Sequence, residues 1–277
     1  MTRPAAAPGA LPFFLPAEAG ERFCLYHAPV GTCRGTVLYL HPWGEEMNKS
    51  RRMAALQSRA LAQLGYGVLQ LDLYGCGDSA GDAGDARWEI WLADVAAGAT
   101  WLRQRLDQPL TLWGLRLGAL LALAYARAAP GVAQRLLLWQ TPANGAALLT
   151  QFLRLKMAGQ LLAEGAAEDN STATLRRQLA GGATLEIAGY ALAPQLAASL
   201  DALDAAALAV TGCPVHWLEV TPRASEALMP ASQRVAQAWR EGGVDLHCHP
   251  LGGAQFWATQ EISENPALID TSCAILA

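Results

Sequence analysis

The sequence predicts an α/β fold: a mostly parallel central sheet flanked by helices, with a helical cap inserted in it. Three observations carry this. Short apolar or β-branched runs bounded by Gly, Pro and Asp alternate with stretches of helical periodicity, the pattern of a sheet covered on both faces. The stretch LTLWGLRLGALLALAYA, residues 110–126, reads as a buried strand, a sharp turn and an apolar helix. A chain of 277 residues, 52% hydrophobic and 16% charged, can bury a sizeable core, so residues 1–277 are read as a single domain with a cap over about 142–209.

Composition also excludes function classes. The net charge is -4 and no Lys/Arg run exceeds two residues, so the footprint of a nucleic-acid binder is missing. The longest apolar runs, such as 117–126, are far shorter than the roughly 20 residues of a membrane span. Six scattered cysteines without a C-x-x-C pair fit neither a zinc site nor a disulfide scaffold, and no metal or cofactor is expected. A reducing, cytoplasmic setting follows. Prolines break the short apolar run LPFFLP near the N-terminus, which argues against a secretory signal.

In order along the chain, residues 1–20 are rich in Ala, Pro and Gly and read as an irregular lead-in, with Phe13 and Phe14 tucked onto the core. Strands over 22–27 and 36–40, separated by a turn-rich segment, give the sheet an antiparallel start. The loop His41-Pro42-Trp43-Gly44-Glu45-Glu46 follows. A helix comes next, with Ser50 as N-cap, Met53, Leu56, Ala60, Leu61 and Leu64 at helical spacing, and Gly65 as the stop. A strand over 67–72 runs into the glycine-rich turn DLYGCGDSAG, residues 72–81. Residues 87–106 form a helix whose Trp88, Trp91 and Trp101 are packing residues. After the strand, turn and helix of 110–126, a strand over 135–139 precedes a long helical region of about 146–209, broken near Gly165, Gly181-Gly182 and Pro194. A strand over 215–220, a helix over 231–241 and a strand over 244–249 complete the pattern.

Two linked motifs carry a resemblance. The turn Gly114-Leu115-Arg116-Leu117-Gly118 has the glycine spacing of a G-x-S-x-G nucleophile elbow, whose flanking glycines keep side chains clear of the neighbouring strand and helix. The turn of 72–81 fits D-x-x-G-x-G-x-S-x-G, with every defining residue present. Together they resemble the α/β-hydrolase superfamily, whose caps are inserted after the strand read here as 135–139. More narrowly, residues 41–53, LWGLRLGALLALAYA and residues 252–262 are similar to the bacterial family called exosortase A system-associated hydrolase 2. That family is linked to exopolysaccharide and PEP-CTERM protein-sorting gene clusters, and its name comes from fold likeness.

The resemblance implies a nucleophile, an acid and a His in chain order, and this sequence fills none of the three places. The nucleophile place holds Arg116, which stays protonated and offers donors but no lone pair for attack. The loop after 215–220 offers only Glu226 as acid, and the alternative place after 135–139 reads Gln140-Thr141-Pro142. In Gly252-Gly253-Ala254-Gln255-Phe256 the His place holds Gln255, with His247 and His249 just upstream; a register shift would bring His249 near the site. Cys76 and His41, both in loops at strand ends, form a chemically sound thiolate and imidazole pair, weighed against a turn filler and a loop hydrogen bond. Asp72 and Asp78 read as turn residues.

Arg116 stands where a helix N-terminus and the N–H of Leu117 already favour negative charge. One reading is a binding pocket formed by Arg116, Leu117, Trp43, Gln255 and Glu46, the loop around Trp43 supplying a second backbone donor as in an oxyanion hole. The other is an internal ion pair with Glu45, Glu46 or Glu226 that plugs the pocket. The expected function is therefore a non-catalytic anion-binding or accessory protein, with a small anionic, acyl or saccharide ligand and a protein partner on the cap. The alternative is an esterase, thioesterase or acyltransferase using non-standard residues.

Overall fold

The computed structural model describes residues 9–164, 171–223 and 227–277. Eight strands form one sheet in the order β1 (Leu11–Ala17), β2 (Gly20–His27), β4 (Tyr66–Leu71), β3 (Gly35–Leu40), β5 (Leu110–Leu115), β6 (Arg135–Trp139), β9 (Val215–Thr221), β10 (Leu246–Gly252). From β4 to β10 all pairings are parallel, and β1 and β2 join antiparallel. The antiparallel start is therefore made by β1 with β2 and β2 with β4, not by β2 with β3 as the sequence suggested.

The central strands read as continuous apolar runs because both faces are buried. In β3, Val37 and Tyr39 face α1 (Glu45–Gln63) and α8 (Pro266–Leu276), and Leu38 and Leu40 face α2 (Trp88–Leu106) and α3 (Leu117–Ala128). One buried ion pair ties β2 to α2. Arg22 Nε lies 2.7 Å from Asp94 Oδ1, each side chain only 1% exposed, and Tyr74 N–H donates to Asp94 Oδ2 at 2.8 Å.

Several expectations needed correction. The irregular lead-in contains β1, whose Pro12 and Pro16 suit an edge strand, where a missing ladder donor is tolerated. Phe13 stacks on Trp101 with ring centroids 4.7 Å apart, whereas Phe14 is exposed. Ser50 is not a cap: α1 already begins at Glu45, after Gly44 at φ 65°, and the buried Ser50 hydroxyl donates back to Glu46 O. Glu45 and Glu46 in the first turn suit the positive end of that helix. The last strand runs on to Gly252, and α8, opened by Asn265 and Pro266, follows it.

The segment between β6 and β9, read from the sequence as a helical cap, is not wholly helical. Between α5 (Thr172–Ala180) and α6 (Pro194–Asp201) lies a hairpin of β7 (Leu185–Ile187) and β8 (Tyr190–Leu192). Its turn is Ala188-Gly189, both at positive φ. α4 (Gly145–Glu164) runs into the break expected at Gly165, which lies outside the described residues.

Candidate functional site

The elbow has the geometry that the glycine spacing implies. β5 ends at Leu115, α3 begins at Leu117, and Arg116 between them adopts φ 56°, ψ -117°. A Cβ on Gly114 would sit 2.4 Å from Gly118 O, and one on Gly118 would sit 2.0 Å from Leu40 O. Only glycine fits at either place. A non-glycine residue in such a conformation costs on the order of 1–3 kcal/mol, and here the strained residue is Arg.

Arg116 is 8% exposed and points at the cap. Its Nε donates to both Glu46 carboxylate oxygens at 3.3 Å, and its Nη2 donates to Glu46 Oε1 at 3.0 Å and to Gln151 Oε1 at 2.6 Å. Of the three acids proposed as partners, Glu46 takes the ion pair. Glu45 pairs instead with Lys49 at 3.2 Å, and Glu226 lies outside the described residues. Nη1 has no partner among the described residues, nor is it among the fully buried atoms that lack one, so it opens onto the space beside it.

That space is a cavity of about 340 Å³ between the elbow and the cap. Trp43, Phe152, Leu155, Ile187, Tyr190 and Trp257 give it apolar walls; Gln140, Gln151 and Gln255 add amides; Glu45, Glu46, Lys49 and Arg116 add charge. Four of the five residues expected at the site line it: Arg116, Trp43, Gln255 and Glu46. The Leu117 side chain instead packs in the core, and only its place at the start of α3 concerns the site. The Trp43 ring meets Phe152 edge-on, and its buried Nε1 has no partner among the described residues.

The His place and the alternative acid place are tied into the backbone. Gln255 Nε2 donates to Val220 O at 2.9 Å, and Val220 N–H donates to Gln140 Oε1 at 2.7 Å, so two glutamines hold one residue of β9. Gln140 itself sits at φ 50°. Glu219, a buried acid that the sequence reading passed over, accepts from Met229 N–H and the Ser232 hydroxyl at the start of α7 (Pro230–Glu241).

His249 does not reach the site by a register shift, because β10 continues past it in parallel register with β9. His249 lies 3.2 Å from His216, whose ring also stacks on His247. His41 and Cys76 are structural. His41 Nε2 accepts from Leu73 N–H at 3.0 Å while Nδ1 lies 2.6 Å from Pro42 O, which places its proton on Nδ1 and leaves no nitrogen for a thiol. Burial holds the Cys76 thiol far above its ordinary range, the opposite of what a nucleophile needs. Asp72 grips Arg51 with both oxygens at 2.9 and 2.8 Å, and its Oδ2 also accepts from Asp78 N–H. A Cβ on Gly77 would lie 2.0 Å from that oxygen. Ser79 closes the turn by donating to Asp72 O at 2.6 Å.

Gln151, Phe152, Tyr190 and Trp257 are site residues that the sequence reading missed. Trp257, next to the recognised Gln255, carried a signal in its neighbourhood. Gln151 and Phe152 lie within an amphipathic cap helix and carried none.

Comparison with known proteins agrees with this fold. The family described as serine aminopeptidase, S33, matches residues 31–183. No curated protein matches the sequence. Among solved structures the chain is similar to Est1E from Butyrivibrio proteoclasticus with ferulic acid bound, at 15% identity and a TM-score of 0.65, covering 95% of this chain and 96% of that one. It is similar to a thermostable carboxyl esterase from Bacillus coagulans in complex with glycerol, at 14% identity and a TM-score of 0.65, covering 97% of each. Alpha/beta hydrolase domain-containing protein 10 from mouse is 18% identical with a TM-score of 0.55, covering 96% of this chain and 97% of that one. At these identities the likeness concerns the fold, and the family match extends over the elbow. The chain belongs to the serine aminopeptidase S33 family and has the α/β-hydrolase fold, with Arg116 at the apex of its elbow.

Proposed function

We propose that this protein is a non-catalytic member of its family, a binding protein that uses the cavity between elbow and cap. One observation carries the reading. The residue at the elbow apex is a guanidinium bonded to Glu46 and Gln151, so a group without a lone pair fills the place of an attacking oxygen. The residues around it support the same conclusion. Gln255 and Gln140, each held by Val220, carry amides that are not bases at neutral pH, so neither takes a proton from a nucleophile. The pair His41 and Cys76 lacks both a free imidazole nitrogen and a lowered thiol pKa.

The ligand on this reading places an acceptor, in an anionic, acyl or saccharide-type molecule, on Arg116 and its apolar body against the cap. The similarity of residues 41–53, 112–126 and 252–262 to the exosortase-associated family supports an accessory role beside exopolysaccharide or protein-sorting machinery, with the cap as the surface for a protein partner. Six free cysteines support a reducing, cytoplasmic location. Among the described residues no helix is long and apolar enough to cross a membrane.

A serine-directed fluorophosphonate probe tests the proposal. Absence of labelling on the folded protein is expected, and stoichiometric labelling of any serine would overturn the reading.

A further inference from the structure

We infer that Glu46 sets the charge selectivity of the elbow cavity, so that it takes an uncharged carbonyl-bearing amphiphile, of the amide or ester type, in preference to the matching carboxylate. This rests on the non-catalytic binding reading above and narrows it. Among the described residues the cavity is lined by two cations and two anions, and these pair off as Arg116 with Glu46 and Lys49 with Glu45. The site therefore has polar groups in abundance but no net formal charge to offer an anion.

The remaining donor on the guanidinium is Nη1. A neutral carbonyl accepts from it without meeting the charge on Glu46. A carboxylate placed there is drawn to Arg116 and repelled by Glu46, which lies 3.0 Å from the same guanidinium, so the two terms largely cancel. The carboxylate still loses its hydration on entry, which makes the balance unfavourable. Two further groups match an amide. Gln255 uses its Nε2 and Gln140 its Oε1 on Val220, which leaves Gln255 Oε1 and Gln140 Nε2 without partners among the described residues, both on cavity-lining side chains. One acceptor and one donor beside a cationic donor suit an uncharged amide or ester, and Phe152, Leu155 and Trp257 give its apolar body a wall.

Isothermal titration calorimetry with 4-phenylbutyramide and 4-phenylbutyrate, matched in size and body, tests this at neutral pH. The wild-type protein is expected to bind the amide about ten-fold or more tightly than the acid. Glu46→Gln is expected to reverse that order by freeing the charge of Arg116. Arg116→Met combined with Glu46→Gln, which leaves neither charge unpaired, is expected to lose amide affinity by about ten-fold relative to wild type. Equal or tighter binding of the acid by the wild type overturns the inference and leaves the binding reading standing. Binding of neither probe at millimolar concentration, or amide affinity unchanged in the double variant, also overturns it. Turnover of a 4-phenylbutyrate ester would instead contradict the non-catalytic reading.

Discussion

Replacing Glu46 by Gln removes one charge from the elbow and leaves the other in place. The Arg116 and Glu46 side chains are 10% and 13% exposed, so this is a nearly buried pair, and three of the guanidinium contacts are to Glu46. Breaking such a pair from one side costs roughly 3–5 kcal/mol when the remaining charge has no other partner. Here Gln151 stays bonded to Nη2, Nη1 opens onto the cavity, and the new amide oxygen still accepts one bond. The loss expected for Glu46→Gln is therefore about 2–3 kcal/mol. At about 2–4 °C per kcal/mol for a domain of this size, the melting midpoint falls by roughly 4–12 °C. Removing both partners, in Arg116→Met with Glu46→Gln, leaves no orphan charge and is expected to recover most of that loss. Urea and thermal unfolding followed by circular dichroism measure both. A Glu46→Gln protein within about 0.5 kcal/mol of wild type, or a double variant whose effects simply add, would refute the claim that the elbow is held by this pair.

Two predictions concern the scaffold, and they stand beside the probe-labelling and ligand-binding tests above. Asp94→Ala strands Arg22, which is 1% exposed, and removes the acceptor of Tyr74 N–H, so a loss of about 3–5 kcal/mol in urea unfolding is expected; a change under about 1 kcal/mol would contradict it. Burial first, then His247, His249 and Arg135, lower the His216 pKa from its ordinary 6.5 to about 4, with Asp245 opposing. The unfolded chain then binds more protons, so this contribution is full above about 6.5 and is lost as pH falls toward about 4. Urea midpoints across that window should fall with pH and fall less steeply in His216→Asn; equal slopes would show that the histidine stack is not the cause.

The fold was legible where steric demands leave a mark on the sequence. Gly114 and Gly118 had to be glycine because Gly118 O and Leu40 O stand where their side chains would be, and Gly77 had to be glycine because of Asp72. The central strands announced themselves as apolar runs. What stayed hidden was set by tertiary context. Pro12 and Pro16 look like breakers until the segment is known to be an edge. Strands as short as Leu185–Ile187 and Tyr190–Leu192 carry too few residues for a period to emerge from an Ala- and Leu-rich region. Asn265-Pro266 did carry a helix-start signal, an N-cap followed by Pro at the first turn, and the sequence reading passed over it.

At the site, the sequence established which residue types were missing but not what replaced their interactions. Arg116 without a serine was plain from one motif. Its partner required knowing that α1 starts five residues before the N-cap expected at Ser50, which brings Glu46 into the first turn facing the elbow. Gln151 comes from the cap, 35 residues from Arg116 in sequence, and local pattern cannot reveal such a contact.

The most direct measurement of the central claim is steady-state hydrolysis of p-nitrophenyl butyrate by the wild-type protein and by Arg116→Ser. Both are predicted to match the rate in buffer, the second because the His place still holds Gln255, whose amide is not a base. Turnover that persists through purification and disappears on Cys76→Ala or His249→Ala would contradict the account.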